Sequence, residues 1–293
     1  MHSISAMKRM ARAGIAVTVA IAGCGEATGP SPRGSRIAFQ RGDGTTYNIF
    51  VASPDGSGVK NLTTALGGRN THPSWSPDGR RLVFVSDHAP AGLYVMNADG
   101  SGAHPLTKAG PGAAYPAWSP DGSRIAFVSS RAGSADIWVA GADGSNPIQV
   151  TFSGAEAPAW TPDSKAIAYS DYSLNAIGLV DLGDMKHYQI TFPPAGGVDL
   201  FPAWASDGAL AFVRSTSTTT QRLYVLLAGD TIPTPVTDFS IGSDWTPAWS
   251  PSGHQLVFAH DVNYDYDLFV IADVGFGPHN LTSGPVLDFR PSW

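Results

Sequence analysis

The 293-residue sequence predicts an all-β fold, a six-bladed β-propeller closed by pairing of its N- and C-terminal strands. Three observations carry this. A Trp recurs at positions 75, 118, 160, 204, 249 and 293, with separations of 43, 42, 44, 45 and 44 residues, a period of the kind that marks a repeat architecture. The text around each Trp is nearly constant, as in His72-Pro-Ser-Trp-Ser-Pro-Asp-Gly79 and Tyr115-Pro-Ala-Trp-Ser-Pro-Asp-Gly122. The first copy, starting at Ser35-Arg-Ile-Ala-Phe39, lacks a Trp strand, while the last, ending at Trp293, is only a Trp strand.

Each unit divides into four strands. The Trp strand comes first, and Pro-Asp-Gly closes a tight turn after it, Pro fixing φ and Gly supplying a positive φ. An apolar run such as Arg81-Leu-Val-Phe-Val85 or Arg124-Ile-Ala-Phe-Val128 follows as the second strand. The third is the run at Ile49-Phe-Val51, Leu93-Tyr-Val95, Ile137-Trp-Val139 and their equivalents. Turns such as Ala98-Asp-Gly100 lead to a short last strand ending at Leu62-Thr63, Leu106-Thr107, Val150-Thr151, Ile190-Thr191, Val236-Thr237 or Leu281-Thr282. Joining the two half-copies completes a sixth blade and hides two otherwise open sheet edges.

Composition agrees. Charged residues are only 14%, whereas Gly and Pro number 33 and 23, a turn-rich profile. The formal charge is −6; without Lys8, Arg9 and Arg12 it becomes −6 − 3 = −9. The 15 basic residues that remain are scattered, so no nucleic-acid surface is expected.

The N-terminus reads as an address. Met7-Lys8-Arg9-Met10-Ala11-Arg12 is a short basic region, followed by the apolar run from Ala13 to Ala22 and then Gly23-Cys24. Ten apolar residues suit a signal peptide better than an anchor helix. Ile21-Ala22-Gly23-Cys24 resembles the lipobox of bacterial lipoproteins, which implies lipidation of Cys24, the only cysteine. The expected division is a signal peptide over 1–23, a flexible tether over 24–34 and the propeller over 35–293, with Met7 as an alternative start. Gly25 after the cysteine favours the outer membrane by the same resemblance.

The Pro-Asp repeats themselves resemble those of the TolB propeller family, over residues 35–293. The resemblance implies the fold and an envelope location. The helical N-terminal domain of that family is not seen in the sequence, and a lipid anchor replaces a freely soluble mature form.

The repeated Trp and Phe positions are expected to form the core, filling the wedges between sheets. Asp residues in the turns are expected to serve the turns, because Asp55-Gly-Ser-Gly and Asp99-Gly-Ser-Gly lack the further carboxylates of a calcium loop. Function should sit where repeats differ, on the face that collects the second-to-third strand loops and the blade-to-blade connections. There the entries to the inner strands place His72, Tyr115, Glu156, Asp199, Asp244, Trp245, Asp288 and Arg290, expected to ring one mouth of the central channel. Asp199, Asp244 and Asp288 each stand five residues before their Trp, where a cation or a basic peptide could sit.

No Gly-x-Ser-x-Gly elbow, His-Glu-x-x-His, Gly-rich phosphate loop or paired-cysteine metal site is present. Similar propellers occur joined to a serine hydrolase domain in prolyl oligopeptidases, but this chain ends at the closing Trp. The expectation is therefore a monomeric, periplasmic, membrane-anchored binding module for an envelope protein, peptide or glycan, with no cofactor and no catalytic residues. The alternative is a lyase- or lactonase-type enzyme with a metal-assisted site built on His72, Asp199, Asp244 and Asp288.

Overall fold

The computed structural model describes residues 36–293 except 111, 217–219, 240 and 273–276. The expected leader, Cys24 and tether lie outside the described residues. No helix among the described residues is long and apolar enough to cross a membrane.

Six four-stranded antiparallel sheets form the ring. Blade 1 combines Leu287–Ser292, Ile37–Gly42, Tyr47–Ala52 and Lys60–Asn61, in that order outward. Closure pairs Ala38 with Ser292, Gln40 with Phe289 and Arg41 with Asp288, with one slip of register between Ala38 and Gln40. The inner strands of blades 2 to 6 are Asn70–Trp75, Ala114–Trp118, Ala155–Trp160, Val198–Trp204 and Ser243–Trp249. Their second strands are Arg81–Ser86, Arg124–Ser129, Ala166–Asp171, Leu210–Ser215 and Gln255–Val262.

Packing explains the period. The core divides into six apolar clusters, one in each blade–blade interface. In one, Val83, Leu93 and Val95 of blade 2 meet Trp118, Ile125 and Phe127 of blade 3. In another, Val257, Ala259 and Leu268 of blade 6 meet Ile37 and Phe39 of blade 1, with Trp293 packed against them. A sheet here buries its faces only against two neighbours, which is why the ring must close.

The repeated polar residues serve the same end. The indole N–H of Trp160 donates to the Ala117 carbonyl of the preceding blade (3.0 Å), and that of Trp249 to Ala203 (3.1 Å). Arg36, Arg81 and Arg124 lie over the Trp75, Trp118 and Trp160 rings of the next blade at 5.4, 4.8 and 4.7 Å. Asp78, Asp121 and Asp163 each accept from the Ser or Thr two residues earlier and from a backbone N–H two residues later, closing their own turns. Five of the Thr residues that end blades have a task beyond closing the strand. The hydroxyls of Thr63, Thr151, Thr191, Thr237 and Thr282 accept the first apolar N–H of the third strand, at 2.8–3.0 Å. That hydroxyl satisfies a buried donor where the short outer strand has ended.

Candidate functional site

Each inner strand carries the same backbone irregularity. Three residues before the Trp, His72, Tyr115, Ala157, Phe201, Thr246 and Arg290 have φ between 44° and 54°, and the pairing register slips there in all six blades. A non-glycine residue in the left-handed region costs about 1–2 kcal/mol, so six repetitions show that the ring enforces it. The bulge has a directional effect, since an extra residue re-aims the side chain it carries. These six residues and the prolines that follow them line the axial channel, a cavity of about 140 Å³.

The sequence-predicted residues therefore separate by their distance from the Trp. His72, Tyr115 and Arg290, three before it, meet at the mouth. The His72 and Tyr115 rings lie edge to face at 4.5 Å. The Arg290 guanidinium sits 4.4 Å from the Tyr115 ring centre and donates to its hydroxyl at 3.0 Å. Burial, reinforced by the Arg290 charge, holds the His72 imidazole well below its usual 6.5, so it is neutral at pH 7. Its Nδ1 is 2.9 Å from the Thr71 hydroxyl, and its Nε2 has no protein partner among the described residues.

Glu156 and Trp245, four before the Trp, point elsewhere. Glu156 accepts from the Tyr172 hydroxyl at 2.9 Å, and burial followed by that bond raises the Tyr172 pKa, keeping it a donor. Trp245 donates to Asp261 (2.9 Å) and packs into the interface of blades 6 and 1.

The three aspartates, five before the Trp, are not at the mouth. Asp199, Asp244 and Asp288 are 0%, 0% and 1% exposed, each tied within its own blade to the residue directly across on the second strand. Arg214 chelates Asp199 through Nε (2.6 Å) and Nη2 (2.7 Å), and Arg41 grips Asp288 in the same way at 2.7 and 2.6 Å. Asp244 meets His260 Nδ1 at 2.8 Å and also accepts from Thr237 and the Leu223 N–H. Burial pushes the Asp288 carboxyl above its usual 3.8 against the pull of Arg41. The expected acidic ring is thus corrected to three separate buried pairs. Among the described residues no three His, Cys, Asp or Glu side chains come together as metal ligands would.

A second cavity of about 450 Å³ opens beside the mouth, between blades 1 and 2. Its wall includes Gln40, Tyr47, Arg69, Asp87 and Phe289, and it shares His72 and Arg290 with the axial channel. Tyr47, Arg69 and Phe289 stand far apart in the sequence, and no motif assembles them. Strand closure, which brings Phe289 beside Tyr47 at 5.6 Å, is the signal that could have done so.

The same face carries the exposed aromatic side chains. Phe152, Tyr172, Phe192 and Tyr264 are 67%, 47%, 64% and 83% exposed, and no other aromatic among the described residues is as open. All four lie in second-to-third strand loops or blade-to-blade connections.

Comparison with known proteins follows this geometry. The TolB beta propeller domain model matches residues 88–241. The crystal structure of TolB from Acinetobacter baumannii superposes with a TM-score of 0.78 at 23% identity, over 90% of this chain and 67% of that one. An uncharacterized peptidase, YuxL, of Bacillus subtilis is 38% identical over 85 residues, 26% of this chain and 13% of that protein. The Tol-Pal system protein TolB of Bordetella avium is 42% identical over 57 residues, 19% of this chain and 12% of that protein. The match to these two curated relatives thus spans about an eighth of their length. With more than half of the sequence matched by the family model and six four-stranded blades closed into a ring, the chain belongs to the TolB β-propeller family.

Proposed function

We propose that the protein is a cell-envelope binding module that captures a protein or peptide segment on its variable face, anchored to the periplasmic side of the outer membrane by lipid on Cys24. One observation carries the binding reading. The four most exposed aromatic side chains among the described residues share the face that holds the mouth and the larger cavity. Large aromatic side chains left in water without a core role are the groups that anchor protein interfaces. The charge at the mouth is arranged for recognition too, since Arg290 is held on Tyr115 without a carboxylate partner among the described residues.

The three acids of the metal-assisted enzyme alternative are sequestered in separate pairs, which favours the binding reading. Placing a photo-crosslinking amino acid at 152, 172, 192 or 264 in cells should yield discrete adducts with an envelope protein. The same label at Met185 or Ile232, on the other face, should not. Equal labelling from both faces, or none from the first, would reject the assignment. Lipidation is checked separately by mass spectrometry of the membrane fraction, in which Cys24→Ser should abolish acylation.

A further inference from the structure

The 450 Å³ cavity between blades 1 and 2 has a distinctive charge arrangement. Two guanidiniums, Arg69 and Arg290, stand on its wall, and neither makes an ion pair with a carboxylate among the described residues. One carboxylate shares the wall, that of Asp87, whose Oδ1 is engaged by the Arg69 backbone N–H at 2.5 Å. With His72 neutral, two positive groups against one negative leave the cavity net positive, in a chain whose overall charge is −6. Two guanidiniums without carboxylate partners on one wall, Arg290 half-buried and Arg69 exposed, suit an anion, because a carboxylate there restores both charge balance and the bidentate hydrogen bonding that arginine is shaped for.

The apolar part of the wall narrows the ligand. Tyr47 is buried, 8% exposed, beneath the Arg69 guanidinium at 5.1 Å and beside Phe289 with the two rings at 87°, so it offers no broad flat face on which a sugar ring could stack. The His72 and Arg290 wall is shared with the proline-lined channel, whose 140 Å³ is the size of one extended side chain. We propose that this cavity binds a peptide carboxylate, with Arg290 and Arg69 holding the acid, Tyr47 and Phe289 packing on the residue that bears it, and a neighbouring side chain entering the channel. The proposal rests on the reading of this face as a binding face and names the chemistry it recognises.

Titration calorimetry on the full chain tests it with four probes: N-acetyl-Gly-Leu-Phe as the free acid, the same peptide as its amide, N-acetyl-Gly-Asp-Leu amide, and a glucuronate trimer. At least one acidic peptide should bind tenfold or more tightly than the neutral amide, and which one does identifies the source as a chain terminus or an acidic side chain. Arg69→Gln, at an exposed position, and Arg290→Gln should each weaken that binding at least fivefold, while Lys186→Gln on the opposite face leaves it unchanged. Affinity should also fall with added salt. Equal binding of acid and amide, preference for the glucuronate trimer, wild-type affinity in both arginine variants, or no binding by any peptide would each overturn the proposal. Cross-links from 152, 172 and 192 that persist in those variants would show that the binding face stands although the carboxylate pocket falls.

Discussion

Replacing Arg214 by Met gives the most direct test of the corrected placement of the three aspartates. Asp199 is fully buried and Arg214 nearly so, and the two share a bidentate contact across paired strands. Removing the guanidinium leaves a carboxylate in the interior with neither water nor a counter-charge, a loss of about 3–5 kcal/mol for a buried pair broken on one side. For a domain of this size, with a urea slope of about 3 kcal/mol per molar, the unfolding midpoint should drop by about 1 M or more. Asp199→Leu combined with Arg214→Met removes both charges, and apolar replacement of a whole pair is close to neutral or stabilising. The double variant should therefore recover most of the loss, a coupling measured by urea unfolding of wild type, both single variants and the pair. If Arg214→Met alone costs less than about 1 kcal/mol, or the double variant is as unstable as the single one, Asp199 is solvated and the mouth regains its acid.

Four further outcomes are expected. Deleting residues 287–293 removes the inner strand of blade 1 and bares the edge of Ile37–Gly42, so light scattering should report more self-association than for the intact chain. His72→Gln tests the neutral imidazole. Its depressed folded pKa means that the unfolded chain takes up a proton first as pH falls below about 6.5, so stability present above that pH is lost below it, by up to about 1.4 kcal/mol per pH unit until the folded pKa is reached. The variant should lack that component in urea titrations at pH 7 and pH 5.5. Phe152→Ser with Phe192→Ser should change stability by no more than about 0.5 kcal/mol each, as surface changes do, while removing the adducts formed from position 172. Thr151→Val strands the Ile137 N–H and withdraws a donor from Asp136, and should cost about 1–3 kcal/mol in the same assay.

Much of the candidate site was legible as a list of residues and not as a set of directions. His72, Tyr115 and Arg290 converge because they occupy one repeat position, and strand ends of a propeller lead to the axis. Asp199, Asp244 and Asp288 also occupy one repeat position, which reads in the sequence as part of the same ring at the mouth. The second strand contained the missing information. Two residues after its aromatic residue, Phe in five blades and Tyr169 in blade 4, stand Arg41, Arg214 and His260 in the three blades that carry the aspartates, and Ser86, Ser129 and Asp171 in the others. Read as cross-strand partners, those residues mark buried pairs rather than an open acidic mouth.

The amino-acid sequence by itself determined the strand count per unit, the number of blades and the closure of the ring. Each of these rests on short apolar runs and turn residues whose preferences are local and are repeated six times. Tertiary structure alone decided which way the inner-strand side chains face. Non-glycine residues at φ near 50° leave no mark in composition; they are held there by six wedges packed around one axis, and the resulting bulge turns one position toward the channel while the position two residues earlier stays buried between blades.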